Sequence, residues 1–383
     1  MEQTYDIAVA ACPSYDENEV AGALQTLLEA TGGLDFVKPG MTIALKTNLV
    51  SGAAPEKAVC THPAVLTALT KWLIDRGASV IIGDSPGGPF SPAVMKHVYK
   101  VSGLQTAEAA GAKLNENCAQ TAASFPEGKI MKQITYTSWL SEADAVIGVC
   151  KLKTHGMMTY SGNVKNFFGA IPGTMKLEYH YRFPKHEDFA DMLVDINEFL
   201  KPAFYITDAV VGMEGNGPTA GTPRQVGALL ASKDPYALDE ICARMIGLDP
   251  MTVPTIAAAK MRGLGAENPA IFGDWQAFAV PDYQKVTKMK DITFSGYIPK
   301  FLMPVVTKLL QARPQVKSSE CIGCRKCHDI CPARAISMTA EGKAGRPVID
   351  RSQCIRCFCC QEFCPKGAMK VKRSALARFI NLL

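Results

Sequence analysis

The chain has 383 residues, 48% of them hydrophobic and 20% charged, with a formal net charge of +5. This length and apolar content fit two or three packed domains and exclude a collagenous or disordered chain. The 14 cysteines carry no secreted disulfide spacing, which points to a reducing compartment and a cytoplasmic protein.

The first residues, Met1 to Ile7, have no basic stretch and no long apolar run, so they do not read as a signal peptide. No uncharged apolar run reaches the roughly eighteen residues a membrane helix needs. Charge is unevenly placed. From Arg313 onward, 14 Lys and Arg face 5 Asp and Glu, while the preceding part holds 27 and 31. A basic C-terminal part suits docking on an acidic face of its own chain or of an electron donor. No basic stripe carries interleaved aromatics, which argues against nucleic acid.

Residues 1–285 alternate short apolar runs with helical patterns, the mark of an α/β domain with a mostly parallel sheet and helices on both faces. Ile7–Ala11 is a strand and Glu17–Ala30 a helix. Thr42–Leu45 is the next strand, running into Lys46-Thr47-Asn48-Leu49. Thr61 reads as the cap of a helix through Asp75, with Pro63 in its first turn. Val80–Gly83 is a strand followed by Asp84-Ser85-Pro86-Gly87-Gly88, and Ser91-Pro92 opens another helix. Ala145–Val149 is an apolar strand with Lys151-Leu152-Lys153-Thr154-His155 after it. His186–Leu200 is amphipathic, and its Asp188, Asp191 and Asp195 read as a solvated acidic face rather than a metal site. Tyr205–Thr207 is a strand ending at Asp208, and Asp234–Ile246 and Thr252–Met261 are helices. Residues 286–316 read as a connector packed on the core, because prolines interrupt its apolar stretch. Residues 373–383 form a basic tail.

Ligands of open α/β sheets bind beyond the carboxyl ends of the strands. The polar motifs gather at those ends: Lys46 and Asn48, His62, Asp84, Lys151, Lys153 and His155, Asn163, Lys165 and Asn166, Asp208, and Glu214 with Asn216. Alternation along an extended segment sends Lys151, Lys153 and His155 to one side, so the groups are expected to converge on a cationic pocket. Lysines there would hold a small anionic substrate, and His155, His62 or Lys153 would move its proton. No dinucleotide fingerprint and no phosphate-binding P-loop occurs. Flavin mononucleotide, which has no comparable fingerprint, stays open.

Residues 317–372 carry C-I-G-C-R-K-C-H-D-I-C-P and then C-I-R-C-F-C-C-Q-E-F-C-P, two copies of C-x2-C-x2-C-x3-C-P. In bacterial two-cluster ferredoxins this spacing holds two [4Fe–4S] cubes, the fourth cysteine of each run ligating the other cube. Cys321, Cys324, Cys327 and Cys364 are therefore expected around cluster 1. Cys354, Cys357, Cys360 and Cys331 are expected around cluster 2. Paired zinc knuckles do not repeat a three-plus-one run with prolines. Cys359 is a spare thiol expected to pack against its loop.

As a set, the motifs resemble the family called domain of unknown function 362, fused to a two-cluster ferredoxin module. Its carriers are Lys46-Thr47-Asn48-Leu49, Thr61-His62-Pro63, Gly83-Asp84-Ser85-Pro86-Gly87, Lys151 to His155, Gly162 to Gly169, and Glu214 to Pro218. Family members usually have Lys-Pro-Asn where this chain has Lys46-Thr47-Asn48, which alters loop stiffness and removes no polar group. The resemblance implies an iron–sulfur protein of anaerobic metabolism and no settled reaction. Two functions are expected to compete. One is an oxidoreductase passing electrons from a partner protein, through two clusters, to a small anionic or carbonyl-bearing substrate. The other is a non-enzymatic electron-transfer or metal-centre assembly or reactivation factor. A homo-oligomer is compatible with either.

Overall fold

The computed structural model describes residues 4–285, 313–340 and 344–372. The stretch 286–312 of the expected connector and the basic tail 373–383 lie outside the described residues.

The elements of the large domain, in chain order, are β1 (Ile7–Ala11), α1 (Glu17–Thr31), β2 (Thr42–Lys46), α2 (Pro63–Ile74), β3 (Ser79–Gly83), α3 (Pro92–Val101), α4 (Gln105–Ala109) and β4 (Lys113–Leu114). A hairpin follows, β5 (Gln120–Ser124) and β6 (Gln133–Thr137), then β7 (Ala145–His155), β8 (Thr159–Ser161), α5 (Asn163–Asn166), α6 (Met175–Arg182) and α7 (His186–Leu200). The domain closes with β9 (Phe204–Glu214), β10 (Thr222–Ser232), α8 (Pro235–Met245), α9 (Pro254–Met261) and β11 (Ile271–Phe272).

The main sheet runs in the order β11-β1-β10-β9-β7-β2-β3-β4, with β8 folded back on β7. β9, β7, β2, β3 and β4 are mutually parallel, and β10 is antiparallel to both of its neighbours. β7 is buried from Val146 to its end, as expected of a strand covered on both faces. One apolar layer packs Leu24 and Leu27 of α1, Leu66 and Leu69 of α2 and Val98 of α3 on the sheet. The opposite layer packs Phe189 and Leu193 of α7, Leu238 of α8 and Ile256 of α9. The expected α/β class is therefore the observed one. The chain order turns around between β2 and β7: β2 leads outward to β3 and β4, and the chain then returns to β7 on the other side. That is the place where such sheets leave a cleft at their carboxyl edge.

The small domain pairs β12 (Arg313–Val316) with β15 (Met369–Lys372), and β13 (Ile336–Met338) with β14 (Pro347–Ile349). A short helix follows each cysteine loop, Lys326–Asp329 and Cys359–Glu362. No helix of the described residues is long and apolar enough to cross a membrane.

Several local expectations are corrected. β7 and β9 each run 11 residues, so Lys151 to His155 lies within a strand and Asp208 in the middle of one. β10 has no counterpart in the sequence reading, because Pro223 and Gly227 interrupt its pattern; its pairing with β9 shifts register between Gln225 and Ala228. The cap of α2 is His62, whose Nδ1 accepts from the Ala64 amide at 3.2 Å, not Thr61. The Thr61 hydroxyl instead donates to the Val149 carbonyl at 2.9 Å and accepts from the Asn48 amide at 3.1 Å.

The acidic side of α7 is not solvated. Asp195 is fully buried and accepts from the Lys129, Ile130 and Met131 amides at 2.9, 2.7 and 2.8 Å, with Arg262 at 2.9 Å. Asp191 pairs with Lys129 at 2.8 Å. A carboxylate so surrounded holds the β5–β6 turn onto α7, and removing it strands three amides and a guanidinium. We expect Asp195→Ala to destabilise the protein by about 3–5 kcal/mol, the range for breaking one side of a buried ion pair. Chemical unfolding measures this, and a loss below about 1 kcal/mol, the worth of one ordinary hydrogen bond, would contradict it.

Candidate functional site

Lys46 closes β2 and is fully buried. Its Nζ pairs with Asp84 Oδ1 at 2.8 Å and donates to the Thr47 carbonyl at 2.6 Å and to Asn166 Oδ1 at 3.2 Å. Asp84 Oδ2 accepts from the Leu49 amide at 2.8 Å, and Asn166 Nδ2 donates to the Lys46 carbonyl at 3.1 Å. Burial lowers the Lys46 pKa, and the Asp84 carboxylate opposes that shift. Gly169 passes so near that a Cβ there would sit 2.0 Å from Asp84 Oδ1. Only glycine lets the backbone approach the ion pair this closely.

Beside this pair lies a cleft of about 70 Å³, open at its mouth. Lys153, Lys165 and Lys176 line it, with Asn48, Asp84 and Ser85. Lys153 is 1% exposed; its Nζ donates to Asn48 Oδ1 at 2.5 Å and to the Val59 carbonyl at 2.8 Å. Lys176 is 8% exposed and donates to Ser85 Oγ at 3.1 Å and to the Ile171 carbonyl. Burial brings both ammonium groups down to about 7, and the Lys165 charge pushes each the same way. The described residues lining the cleft include one carboxylate, Asp84, and it is committed to Lys46. The apolar wall includes Phe168 and, from the small domain, Phe363.

The single convergent pocket expected from alternation is therefore divided. Asn48, Lys153, Lys165 and Asn166 meet at the cleft, Lys46 lies behind its lining against Asp84 and Asn166, and Lys151 does not line it. Lys151 Nζ pairs with Asp208 Oδ2 at 2.6 Å and donates to Tyr15 Oη at 2.7 Å, both side chains of the pair being 1% exposed or less. Tyr15 Oη donates to Asp208 Oδ1 at 2.9 Å. His62 stacks on Tyr15 at 3.5 Å between ring centroids. Burial drops the His62 pKa to about 4, so the ring is neutral near pH 7 and caps α2 instead of donating a proton. His155 Nδ1 accepts from the Met157 and Met158 amides at 3.1 and 3.0 Å, organising the β7–β8 turn outside the cleft lining.

Asn163 bonds Thr207 Oγ1 at 2.8 Å and Asp239 Oδ1 at 3.0 Å, fastening α5 to β9 and α8. Glu214 accepts from the Gln284 amide at 2.9 Å. Asn216 is exposed and meets the small domain through its carbonyl. Sequence reasoning missed Lys176, His180, Phe168 and Phe363. The first two lie on α6, which carries no strand-end signal; His180 stacks on Phe189 at 4.6 Å and lines the cleft.

The small domain forms one wall of this cleft, through Cys359 and Phe363. Gln361 Nε2 donates to the Asn216 carbonyl at 3.2 Å. A Cβ on Gly87 would lie 1.9 Å from the Phe363 ring, so the two domains touch where a larger residue has no room.

Cys321, Cys324, Cys327 and Cys364 line a second, smaller cavity with an apolar rim that includes Val316, Ile322 and Met338. Three sulfurs from the first loop and one from the second is the set that could hold a cube. Burial pushes the Cys327 thiol up to about 11, and thiolate character at Cys324, Cys364 and Cys321 adds to it. Such a set carries its charge readily only around a metal centre. Cys354 lies near Cys357 and Cys331, and Cys360 lies near Cys357, Cys354, Cys327 and Cys331. The Ala335 and Ala368 amides donate to Cys331 Sγ at 3.2 Å and Cys364 Sγ at 3.1 Å, the kind of bond that tunes cluster potential.

Two outcomes follow. Cys331→Ser should perturb the cube built by Cys354, Cys357 and Cys360, not the one built by its own run; loss confined to the first-run cube in electron paramagnetic resonance would contradict the crossed set. Lys153 and Lys176 bind fewer protons when folded than when unfolded above about pH 7, so stability should rise with pH from about 7 towards 10. Denaturation of the anaerobic protein should show that rise, reduced in Lys153→Met; an equal rise in the variant would contradict it.

The comparisons with known proteins agree with this division. The family model "Domain of unknown function (DUF362)" matches residues 43–244, and the model "4Fe-4S dicluster domain" matches residues 320–368. The thylakoid-associated protein sll1697 of Synechocystis sp. is 34% identical over 261 residues, covering 67% of this chain and 79% of that protein. Among solved structures, the lactate racemase apoprotein from Thermoanaerobacterium thermosaccharolyticum aligns with TM-score 0.41 at 15% identity, over 63% of this chain and 57% of that one. A Thermotoga maritima protein aligns with TM-score 0.33 at 13% identity, over 57% of this chain and 55% of that one. The chain thus spans little more than half of each solved structure. By the DUF362 match and the Synechocystis relative, the chain belongs to the DUF362 family, and it carries a 4Fe-4S dicluster domain at its C-terminal end.

Proposed function

We propose that this protein is an iron–sulfur oxidoreductase that reduces a small anionic or carbonyl-bearing substrate in the lysine-lined cleft. The observation that carries the reading is the shared wall: Cys359 and Phe363, on the segment between cluster ligands Cys357 and Cys364, line the cleft that holds Lys153 and Lys176. Electrons tunnelling from that segment reach a bound molecule without crossing bulk solvent. Cys321, Cys324, Cys327 and Cys364 would hold one [4Fe–4S] cube, and Cys354, Cys357, Cys360 and Cys331 the other. The cubes supply single electrons, two of which complete a two-electron reduction.

The chain's own residues bind, orient and protonate. Lys176 and Lys165 hold negative charge, Asn48 and Ser85 orient it, and Phe168 and Phe363 exclude water from one side. The reduction takes up two electrons and two protons. Lys153, brought to about 7 by burial, supplies one proton to the oxygen or carbon that receives the electrons, because a donor with a pKa near the working pH serves best, and water at the open mouth of the cleft supplies the other. The electron source is a partner redox protein. Cluster thiolates and scattered single cysteines suit a reducing, anaerobic cytoplasm. The cleft needs no flavin in this scheme.

The test uses anaerobic protein with its iron in place, reduced chemically and freed of reductant. We expect the small-molecule fraction of an anaerobic cell extract to reoxidise it, as followed by visible absorbance. Lys153→Ala should slow this by about 10²-fold, as for loss of a general acid, and Gly87→Leu should slow it by separating the domains, both with iron content unchanged. Reoxidation by the protein fraction alone would overturn the reading in favour of a carrier or assembly factor.

A further inference from the structure

The cleft's charge is unbalanced in a way that specifies its occupant more narrowly. Lys153 comes from β7 and Lys176 from α6, and both are more than nine-tenths buried. Their hydrogen-bond partners are neutral oxygens: Asn48 Oδ1 and the Val59 carbonyl for Lys153, Ser85 Oγ and the Ile171 carbonyl for Lys176. The carboxylate in the lining, Asp84, already faces Lys46 at 2.8 Å and the Leu49 amide. Lys165 lies near enough to both lysines to oppose the charge on each. Burying like charges together without an anion is costly. Asp84 attracts both ammonium groups without bonding to either, so a single monoanion would pair directly with one and leave the other with that more distant attraction alone.

We propose, on the basis of the reductase reading above, that the cleft takes a small organic dianion with two separated anionic groups. One group lies against Lys153 and Asn48, the other against Lys176 and Ser85, and a planar unsaturated middle lies against Phe168 and Phe363. Phe363 belongs to the cluster domain, so the middle of the ligand is the part presented to the electrons.

Equilibrium titration of the full-length anaerobic protein with oxidised clusters tests this without any turnover. The probes are matched pairs: fumarate against crotonate, and terephthalate against benzoate. At least one dicarboxylate should bind ten times or more tighter than its matched monocarboxylate. That advantage should disappear in Lys153→Met and in Lys176→Met and be partly kept in Lys176→Arg, with iron content and circular dichroism checking that each variant folds. Sulfate at equal ionic strength should not compete at the concentrations that dicarboxylate does. Equal binding within both pairs, no dicarboxylate binding, or an advantage that survives both methionine variants would overturn the proposal. Because clusters stay oxidised, a positive titration with no reoxidation in the extract assay would fail the reductase reading alone. Reoxidation without dianion preference would fail only the dianion assignment.

Discussion

The buried Lys46–Asp84 ion pair is the constraint on which the cleft depends. It joins the ends of β2 and β3 where the strand order reverses, and Asn166 and the Gly169 backbone close over it. Two charges so deep in a protein lose much of their hydration, and the geometry must return it through additional hydrogen bonds. Here the returns are the Thr47 carbonyl, Asn166 and the Leu49 amide. Those same bonds position the 47–49 loop and the 166–169 loop, which are two walls of the cleft. The polar core of the site and the shape of the site are therefore one network.

A second buried pair, Lys151 with Asp208, illustrates how a neighbouring lysine can be removed from chemistry. Its partners Tyr15 and the His62 amide satisfy the remaining valences, so the group is structural although it lies only two residues from Lys153. Lys153 and Lys176 differ by facing neutral oxygens. Desolvation outweighs the pull of Asp84 and brings their pKa values near neutrality, which is the usual physical signature of a functional amine.

The cluster domain matters through contact as much as through its ligands. Its Cys359–Glu362 helix supplies Gln361 to the Asn216 loop and is followed by Phe363, which occupies the space that Gly87 leaves empty. This makes one cleft from two domains: cations from the sheet edge and an apolar wall from the ferredoxin part. Neither domain alone encloses the cleft.

By itself, the sequence determined the α/β class, the cysteine pattern and the strand ends at which polar residues gather. Those properties are written in local order: period-2 and period-3.6 burial, ligand spacing within one loop, and the rule that parallel sheets bind at their carboxyl edge. It also named Asn48, Lys153, Lys165 and Asn166, which line the cleft, and Lys46, which lies behind that lining against Asn166. Only the tertiary structure decided that Lys151 is neutralised by Asp208, that His62 and His155 bind backbone amides, and that Asp195 is a buried anchor. It alone brought Lys176, His180 and Phe363 into the site. The Lys151–Asp208 pair and the Asp195 anchor join residues about sixty positions apart, Lys176 and Ser85 are 91 apart, and Phe363 comes from the other domain, while the His62 and His155 contacts are local turns that the residue pattern does not announce. The charge state of a buried group is set by that distant neighbour, not by the residues beside it in the chain.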